Sequence, residues 1–180
     1  MKFKYINLLA FIFLSPIMAV AENASEKVEP TVTQSKRIAV NLNAHKPYIY
    51  DRTVQGGMRE VYSKVFTALE NNSYYVIIEP NLGKSLSHFS KRWGEDYNKN
   101  KLTGIRSMVF CNGWYANKIS NVDPSLLALC PMRITLYSKD KETHILFVRP
   151  GKVAGNSPAQ SIAKELEDDV IRTIEVAIAN

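Results

Sequence analysis

Apolar residues recur at helical spacing in three segments of the chain. The first segment, residues 57–71, carries them on one face and leaves charged residues on the other. In residues 158–179 they fall on every fourth position, and Ser157-Pro158 with Gln160 is typical of a capping box at a helix start. The third stripe follows the cap-forming Asn81 and consists of Leu82, Leu86, Phe89 and Trp93. Each stripe predicts a helix whose apolar face packs against a core.

Residues 105–150 predict the strand, turn and short helix around which the chain is organised. An apolar run at residues 108–110 indicates a buried strand, which ends at the turn-forming Asn112-Gly113. Asp123-Pro124 is typical of a helix start, and Cys130-Pro131 stops that helix after three leucines. We therefore expect a buried strand that is followed by a sharp turn and then by a short helix.

Several segments predict further strands. Two runs, 132–137 and 143–149, are alternating or rich in β-branched and aromatic residues and predict a hairpin. Short strands are also predicted at residues 38–42, 48–50 and 74–79, whereas residues 95–101 predict a charged surface loop. Together these elements predict an α+β fold, with a mainly antiparallel sheet covered by helices in a two-layer sandwich.

The segment around Phe110 resembles a known family. The hallmark of that family is a hydrophobic strand ending in Phe-Gly-Asn-Pro, then a short helix, a Leu-Pro step and a hairpin. The counterparts here are Phe110-Cys111-Asn112-Gly113, the leucines of residues 126–129, Cys130-Pro131 and residues 132–149. From about Gly57 to the C-terminus the chain resembles the family catalogued as domain of unknown function 302. The resemblance implies a compact α+β domain that is often a homodimer, and it implies no settled activity.

The N-terminal residues predict export. Residues 1–21 contain two lysines, an apolar core and Ala19-Val20-Ala21, the small-residue pattern of a signal-peptidase site. Residues 22–36 are polar and aperiodic and predict a flexible leader, so the domain is expected at residues 37–180. We expect a periplasmic or secreted protein without stable membrane insertion after cleavage. The alternative is an uncleaved N-terminal anchor.

The charge pattern argues against a nucleic-acid partner. The chain has 23 Lys+Arg and 17 Asp+Glu, a net charge of +6, which falls to +4 when Lys2 and Lys4 leave with the signal. Basic and acidic residues are interspersed along the chain, without a clustered basic stripe. We therefore expect no nucleic-acid binding.

Cys111 and Cys130 are the two cysteines of the chain. One closes the predicted central strand and the other precedes the next strand, so neighbouring strands would bring them within disulfide reach. An exported protein most simply pairs two such cysteines. The alternative is a redox-active or metal- or haem-binding pair, which would recruit His144, Met108 or Met132. Because no closely spaced ligand motif accompanies them, we predict no metal and no cofactor.

A hydrolase is the third hypothesis. Such an enzyme would combine Ser107, Ser120 or Ser125 with His144 and Asp123. None of the three serines lies in a Gly-x-Ser-x-Gly pattern, so surface serines are the ordinary explanation.

The candidate binding surface is the polar aromatic turn of Asn112, Trp114, Tyr115 and Asn117, with Arg133 from the following strand. Aromatic side chains with hydrogen-bonding groups are favoured at partner and ligand surfaces, and a turn after a strand can line a cleft. The alternative is that the two aromatic side chains cover the short helix as outer core. We expect a non-enzymatic accessory protein that binds an unknown protein or small-molecule ligand.

Overall fold

The computed structural model describes residues 47–179. The predicted signal peptide, leader and first strand, at residues 1–21, 22–36 and 38–42, lie outside the described residues. Within residues 47–179, no helix is long and apolar enough to cross a membrane.

Five strands form one antiparallel sheet within the described residues. They are β1 (Ile49–Gln55), β2 (Tyr75–Ile78), β3 (Gly104–Cys111), β4 (Met132–Lys139) and β5 (Glu142–Val148). The spatial order is β1-β5-β4-β3-β2, so the predicted β4–β5 hairpin occupies the centre with β3 beside it. The prediction of a mainly antiparallel sheet is confirmed.

Helices connect the strands within the same range. They are α1 (Met58–Asn71), α2 (Leu82–Ser87), α3 (Ser90–Trp93), α4 (Gly113–Val122), α5 (Pro150–Val153) and α6 (Gln160–Ala179). Short 3₁₀ turns at Gly94–Asp96 and Pro124–Leu129 join α3 to the following loop and α4 to β4.

The core lies between the sheet and the pair of helices α1 and α6, which pack against each other. Alternation along β4 shows how the sheet contributes, because Arg133 is exposed between buried neighbours. The buried residues of that strand are Met132, Ile134 and Leu136. Leu69 of α1 and Ile174 of α6 are fully buried in the same core cluster. The predicted two-layer α+β fold is confirmed.

The turn predicted after β3 is instead the start of a helix. Asn112 Oδ1 accepts hydrogen bonds from the backbone nitrogens of Trp114, at 3.0 Å, and Tyr115, at 3.2 Å. These bonds satisfy amides that the first turn of a helix leaves without partners, and α4 continues to Val122. The prediction of a sharp turn alone was wrong because asparagine favours both turns and helix N-caps, and Ile119 of α4 joins the core.

The single helix predicted from Leu82 to Trp93 is divided into α2 and α3. Its apolar stripe covers no core, since Leu86 keeps 40% and Trp93 41% of its surface exposed. After Pro80, whose carbonyl oxygen accepts a 3.0 Å hydrogen bond from Ser107 N, the chain runs beside the first half of β3. These two helices therefore lie past the edge of the sheet, where no second layer buries their apolar side chains.

Ser157 precedes α6, which begins at Gln160 and not at the predicted Pro158, and the predicted capping box does not close. Ser157 Oγ accepts a 3.1 Å hydrogen bond from Ala159 N and donates to Asp123 Oδ2 at 2.6 Å. The Gln160 side chain donates to the Gly151 carbonyl oxygen at 3.2 Å instead of returning to Ser157. The cap therefore ties the start of α6 to the 3₁₀ turn that Asp123 precedes.

Candidate ligand-binding site

The four residues of the predicted aromatic turn lie at the start of α4. The Asn112 side chain is committed to the helix cap, and Tyr115 is half-buried with its hydroxyl donating to Glu165 Oε1 at 3.2 Å. Trp114 is 66% exposed, and Asn117 is exposed on the next turn. The structure brings these residues together. Asn112 and Tyr115 are held in structural contacts, whereas Trp114 is open to solvent.

Electrostatic contacts tie this surface to α6. Burial, followed by the nearby Glu165 carboxylate, raises the pKa of Tyr115 to about 12. Lys118 Nζ lies 3.0 Å from Glu165 Oε2, 5.4 Å from the Tyr115 ring centroid and 5.9 Å from the Trp114 ring centroid. A cation within about 6 Å of an aromatic ring is attracted to its face. These contacts favour the outer-core alternative for Tyr115.

Arg133 lies on a different side of the molecule. It pairs with Val109 of β3, and its strand neighbours Met132 and Ile134 are buried beneath the helices. Because side chains alternate along a strand, Arg133 extends from the opposite face of the sheet. Helix α4 packs with α6 on the helix-covered face. The structure does not bring Arg133 together with Trp114.

Cys111 and Cys130 are neighbours, as the strand order predicts. Their Sγ atoms lie 3.2 Å apart, which is longer than the roughly 2.05 Å of a disulfide bond, so both are thiols in this structure. Both residues are half-buried. Burial, followed by the hydrogen bond with Cys111, raises the pKa of the Cys130 thiol. The disulfide itself stays a prediction.

The serines nominated for hydrolysis are held in separate local contacts. Ser107 is buried, with its Oγ 2.8 Å from Thr135 Oγ1, and Ser120 donates to the backbone of its own helix. Ser125 Oγ donates to Asp123 Oδ1 at 2.6 Å. Hydrogen bonds from Ser125 and Ser157 lower the pKa of the Asp123 carboxyl, as expected for a carboxylate acting as a cap.

His144 lies in a polar cluster on the sheet that the sequence did not predict. Its Nδ1 is 3.0 Å from Thr53 Oγ1 and 3.5 Å from Asp51 Oδ1, and its ring stacks on Tyr137 with 4.4 Å between centroids. The two methionines that a metal site would recruit are buried in the core. Within residues 47–179, no group of three or more histidine, cysteine or acidic side chains is placed to hold a metal ion.

A cavity of about 790 Å³ opens where β2 ends and leaves the first half of β3 without a strand partner on that side. We call it the β3-edge cavity. Its walls come from α2, the segment 93–103, the start of β3 and one residue of α1. Small-molecule sites in proteins commonly measure about 300–1,000 Å³, so this cavity is large enough for a metabolite-sized ligand.

Two glycines allow the walls of the cavity to approach each other. A Cβ atom at Gly83 would lie 3.1 Å from the backbone nitrogen of Ile105, so α2 packs directly on the backbone of β3. A Cβ atom at Gly104 would lie 3.2 Å from the terminal atoms of Met58. Close packing at these two points brings the helices and the strand together around one cavity.

The cavity combines an apolar wall with polar groups. Its apolar and aromatic lining residues are Met58, Leu86, Trp93, Tyr97, Leu102 and Ile105. The Trp93 ring stacks on Phe89 with 5.1 Å between centroids and 23° between planes, which fixes its orientation. The charged lining residues are Lys84, Asp96, Lys99 and Arg106, and Lys99 forms an ion pair with Asp96.

Arg106 is the most buried of the cationic groups in the wall. Its guanidinium carbon lies 4.4 Å from the Tyr62 ring centroid, and its Nη2 is 4.0 Å from Glu79 Oε2. The Tyr62 hydroxyl donates to the same Glu79 oxygen at 2.7 Å. Burial, followed by Glu79, raises the pKa of Tyr62 well above its ordinary value, so Tyr62 stays a neutral donor. The Glu79 carboxylate therefore accepts a short hydrogen bond from Tyr62 and makes only a long contact with Arg106.

Sequence reasoning missed this cavity. The stripe from Leu82 to Trp93 predicted a core-facing helix, and residues 95–101 predicted only a surface loop. One signal was present in the sequence, since Pro80 follows a short apolar run and ends β2 after four residues. The short β2 leaves the first half of β3 without a strand partner on that side.

The comparisons with known proteins concern the family and the fold. The model of the family described as Domain of unknown function DUF302 matches residues 50–177, a range that includes every wall of the cavity. The crystal structure of an uncharacterized conserved protein DUF302 from Bacillus stearothermophilus is similar, with a TM-score of 0.62 and 20% identity over 72% of this chain and 98% of that chain. No curated protein matches the chain. The resemblance predicted from the residues around Phe110 is confirmed.

Proposed function

Since the chain belongs to the DUF302 family, whose description states no activity, we propose a function from its own geometry. We propose that it is an exported, non-enzymatic binding protein that holds a small-molecule ligand in the β3-edge cavity. The observation that carries the proposal is a cavity of about 790 Å³ with one apolar wall and several polar groups. That combination is typical of small-molecule sites, where apolar surface supplies affinity and a few polar groups orient the ligand.

Export is supported by residues 1–21, whose lysines, apolar core and Ala19-Val20-Ala21 match a cleaved signal. Intact mass spectrometry of protein recovered from the periplasm or the medium tests this step. We expect a mature chain that begins at Glu22. A chain that retains Met1 in the membrane fraction would contradict export as a cleaved protein.

A binding role is preferred to hydrolysis because of where the nominated groups lie. Ser107 and Ser125 bond to Thr135 and Asp123, whereas the nearest side-chain oxygens to His144 Nδ1 belong to Thr53 and Asp51. A serine nucleophile needs its base within hydrogen-bond reach, and these contacts supply no such pair. Turnover of an ester substrate that a serine or His144 substitution abolishes would overturn this preference.

The test of the proposed function is a titration with anilinonaphthalene sulfonate, which becomes fluorescent when its rings leave water for an apolar site. We expect saturable one-to-one binding to the mature chain. Ser87 lines the cavity, so Ser87→Phe should fill part of it and weaken binding. Ser85 is exposed on the same helix and is outside the lining, so Ser85→Phe is the matched control.

Each outcome of this titration has a fixed meaning. Weaker binding in Ser87→Phe with unchanged binding in Ser85→Phe supports the cavity as the site. The absence of saturable binding, or equal losses in the two variants, would contradict the proposal. Far-ultraviolet circular dichroism of both variants checks that the fold is retained.

The cysteine pair favours a second, structural role. We propose that Cys111 and Cys130 form a disulfide in the exported protein, supported by the 3.2 Å between their Sγ atoms. The redox-active alternative has less support because the pair lacks a Cys-x-x-Cys motif and both residues are half-buried. An intact mass two hydrogens lighter than the reduced chain is expected. Free thiols carrying a bound metal would favour the alternative.

Partner surfaces outside the cavity remain predictions. Trp114 is the exposed aromatic residue of the turn and the one on which a protein partner would depend. Trp114→Ala should weaken partner capture without unfolding the chain, whereas Tyr115→Ala also removes contacts to Glu165 and the core. Unchanged capture by Trp114→Ala would contradict that surface. Light scattering of the mature chain tests the homodimer that the family resemblance implies.

A further inference from the structure

We propose that the ligand of the β3-edge cavity is a small organic anion with a planar apolar body, whose acidic group accepts hydrogen bonds from Arg106. This inference rests on the proposed function and names the chemical class of its ligand. A carboxylate, a sulfonate and a phosphate share the chemistry that an arginine guanidinium recognises, because each presents two oxygens to its parallel N–H groups.

The first observation is the unsatisfied state of Arg106. Its Nε is buried and has no hydrogen-bond partner among residues 47–179. Its Nη2 reaches Glu79 only at 4.0 Å, while Tyr62 holds the same carboxylate oxygen at 2.7 Å. The Nε atom is closed off from solvent within the wall, but the Arg106 side chain as a whole is 38% exposed and lines the cavity. Its terminal N–H groups therefore lie at the cavity wall without a short charge-assisted hydrogen bond to Glu79, and a bound anion would supply one.

The second observation is the balance of charge around the cavity. Three cationic side chains line it, Lys84, Lys99 and Arg106, and the carboxylates that contact them are Asp96 in the lining and Glu79 beside Arg106. Asp96 already forms an ion pair with Lys99, and Glu79 accepts a hydrogen bond from the Tyr62 hydroxyl. A cationic ligand would therefore meet net positive charge, whereas an anion would be attracted into the cavity.

The third observation is the apolar wall. Trp93 is held in place by stacking on Phe89, and Tyr97, Leu86 and Leu102 line the same cavity. Aromatic side chains favour offset stacking or edge contacts with planar rings. An inorganic ion alone would leave this wall unused, so the structure favours an anion that carries a planar apolar body.

The experiment compares two fluorescent probes that share one ring system. Anilinonaphthalene sulfonate carries a negative charge, and N-phenylnaphthylamine is its neutral counterpart without the sulfonate. We expect the mature chain to bind the sulfonate about tenfold more tightly than the neutral probe, as for a charge-assisted hydrogen bond. Raising the salt concentration should weaken binding of the sulfonate and leave the neutral probe unaffected.

Variants assign the preference to Arg106. Arg106→Gln should lower the affinity for the sulfonate about tenfold and leave the affinity for the neutral probe unchanged. Arg59 is exposed on α1 and is outside the cavity lining, so Arg59→Gln removes the same charge as a matched control. Because a merely structural role of Arg106 would weaken both probes together, the difference between the probes separates recognition from damage to the fold.

The outcomes distinguish the two proposals. Equal affinities for the two probes, or an Arg106→Gln variant that keeps the preference, would overturn anion recognition and leave the cavity as a binding site. Failure of both probes to bind saturably would overturn the proposed function itself. If Arg106→Gln fails to fold, the salt dependence in the unmodified chain decides, and its absence would overturn the inference.

Discussion

The helix-covered face of the sheet and the segment at its edge carry similar apolar patterns with opposite results. On the covered face, Leu69 and Ile174 are fully buried between α1, α6 and the sheet. At the edge, Leu86 and Trp93 recur with helical spacing but remain about two-fifths exposed, at 40% and 41%. The two regions differ in what lies opposite the stripe. On the β2 side of β3, strand pairing covers only the second half, so the first half borders the cavity on that side.

The comparison shows that an apolar stripe predicts the apolar face of a helix but does not identify what packs against that face. Where a second layer is present, the stripe becomes core and stabilises the fold by removing apolar surface from water. Where none is present, the same side chains line a cavity and offer affinity to a ligand. The core of this protein thus holds the fold together, and the edge segment supplies its candidate site.

The largest expected difference between the regions is in stability. Leu69→Ala should lower the free energy of unfolding by about 2–5 kcal/mol, since it leaves a cavity in a closely packed core. Leu86→Ala makes the same change in the edge segment and should cost no more than about 0.5 kcal/mol. Urea unfolding of both variants measures the difference. Equal losses would show that the edge segment belongs to the core and would contradict the comparison.

The next effect concerns the cysteine pair at the end of β3 opposite the cavity. Replacing Cys111 and Cys130 together with serine should lower the stability of the oxidised protein by about 3 kcal/mol, because the bridge would close a loop of 18 intervening residues. The reduced protein provides the control, since its stability should change much less in the same double variant. An oxidised protein no more stable than the reduced one would contradict a stapling role.

A smaller effect is expected at the start of α4. Asn112→Ala removes the side-chain oxygen that accepts from two backbone amides and should cost about 1 kcal/mol. Asn117 is exposed on the same helix, so Asn117→Ala should be close to neutral. Thermal unfolding compares the two. Equal stabilities would mean that the cap contributes little and that packing of Ile119 holds the helix.

The pH dependence of the core gives the smallest effect at neutral pH. Burial, followed by a 2.6 Å hydrogen bond to Asp169, raises the pKa of Tyr74 above the value of about 10 expected when unfolded. The folded state therefore retains this proton when the unfolded state has lost it. Its contribution is complete below pH 10 and is lost as the pH rises above that value. In urea unfolding, Tyr74→Phe should reduce the fall in the free energy of unfolding with rising pH above 10. An unchanged dependence on pH would contradict the assignment to Tyr74.

The regular elements were predictable because local pattern and tertiary packing agree there. The stripes of α1 and α6 face the sheet, and the alternation of β4 sets its buried and exposed faces. The proximity of Cys111 and Cys130 followed from placing β3 beside β4. In these elements the polarity of each residue agrees with its burial in the fold.

The candidate site was harder to predict because the exposure of its residues depends on the length of a neighbouring strand. The sequence around Leu86 and Trp93 does not indicate that β2 will be short. Asn112 favours both a turn and a cap, and only the helix that follows decides between them. Arg133 was grouped with the aromatic turn by its closeness in the sequence, although its alternation with Met132 and Ile134 placed it on the other face of the sheet.

A crystal structure of the mature chain grown with anilinonaphthalene sulfonate tests the ligand site most directly. We expect density for the probe in the β3-edge cavity, with its rings beside Trp93 and its sulfonate within hydrogen-bond distance of Arg106. Density only on another surface, with the cavity holding water alone, would contradict the claim that the edge segment forms a ligand site.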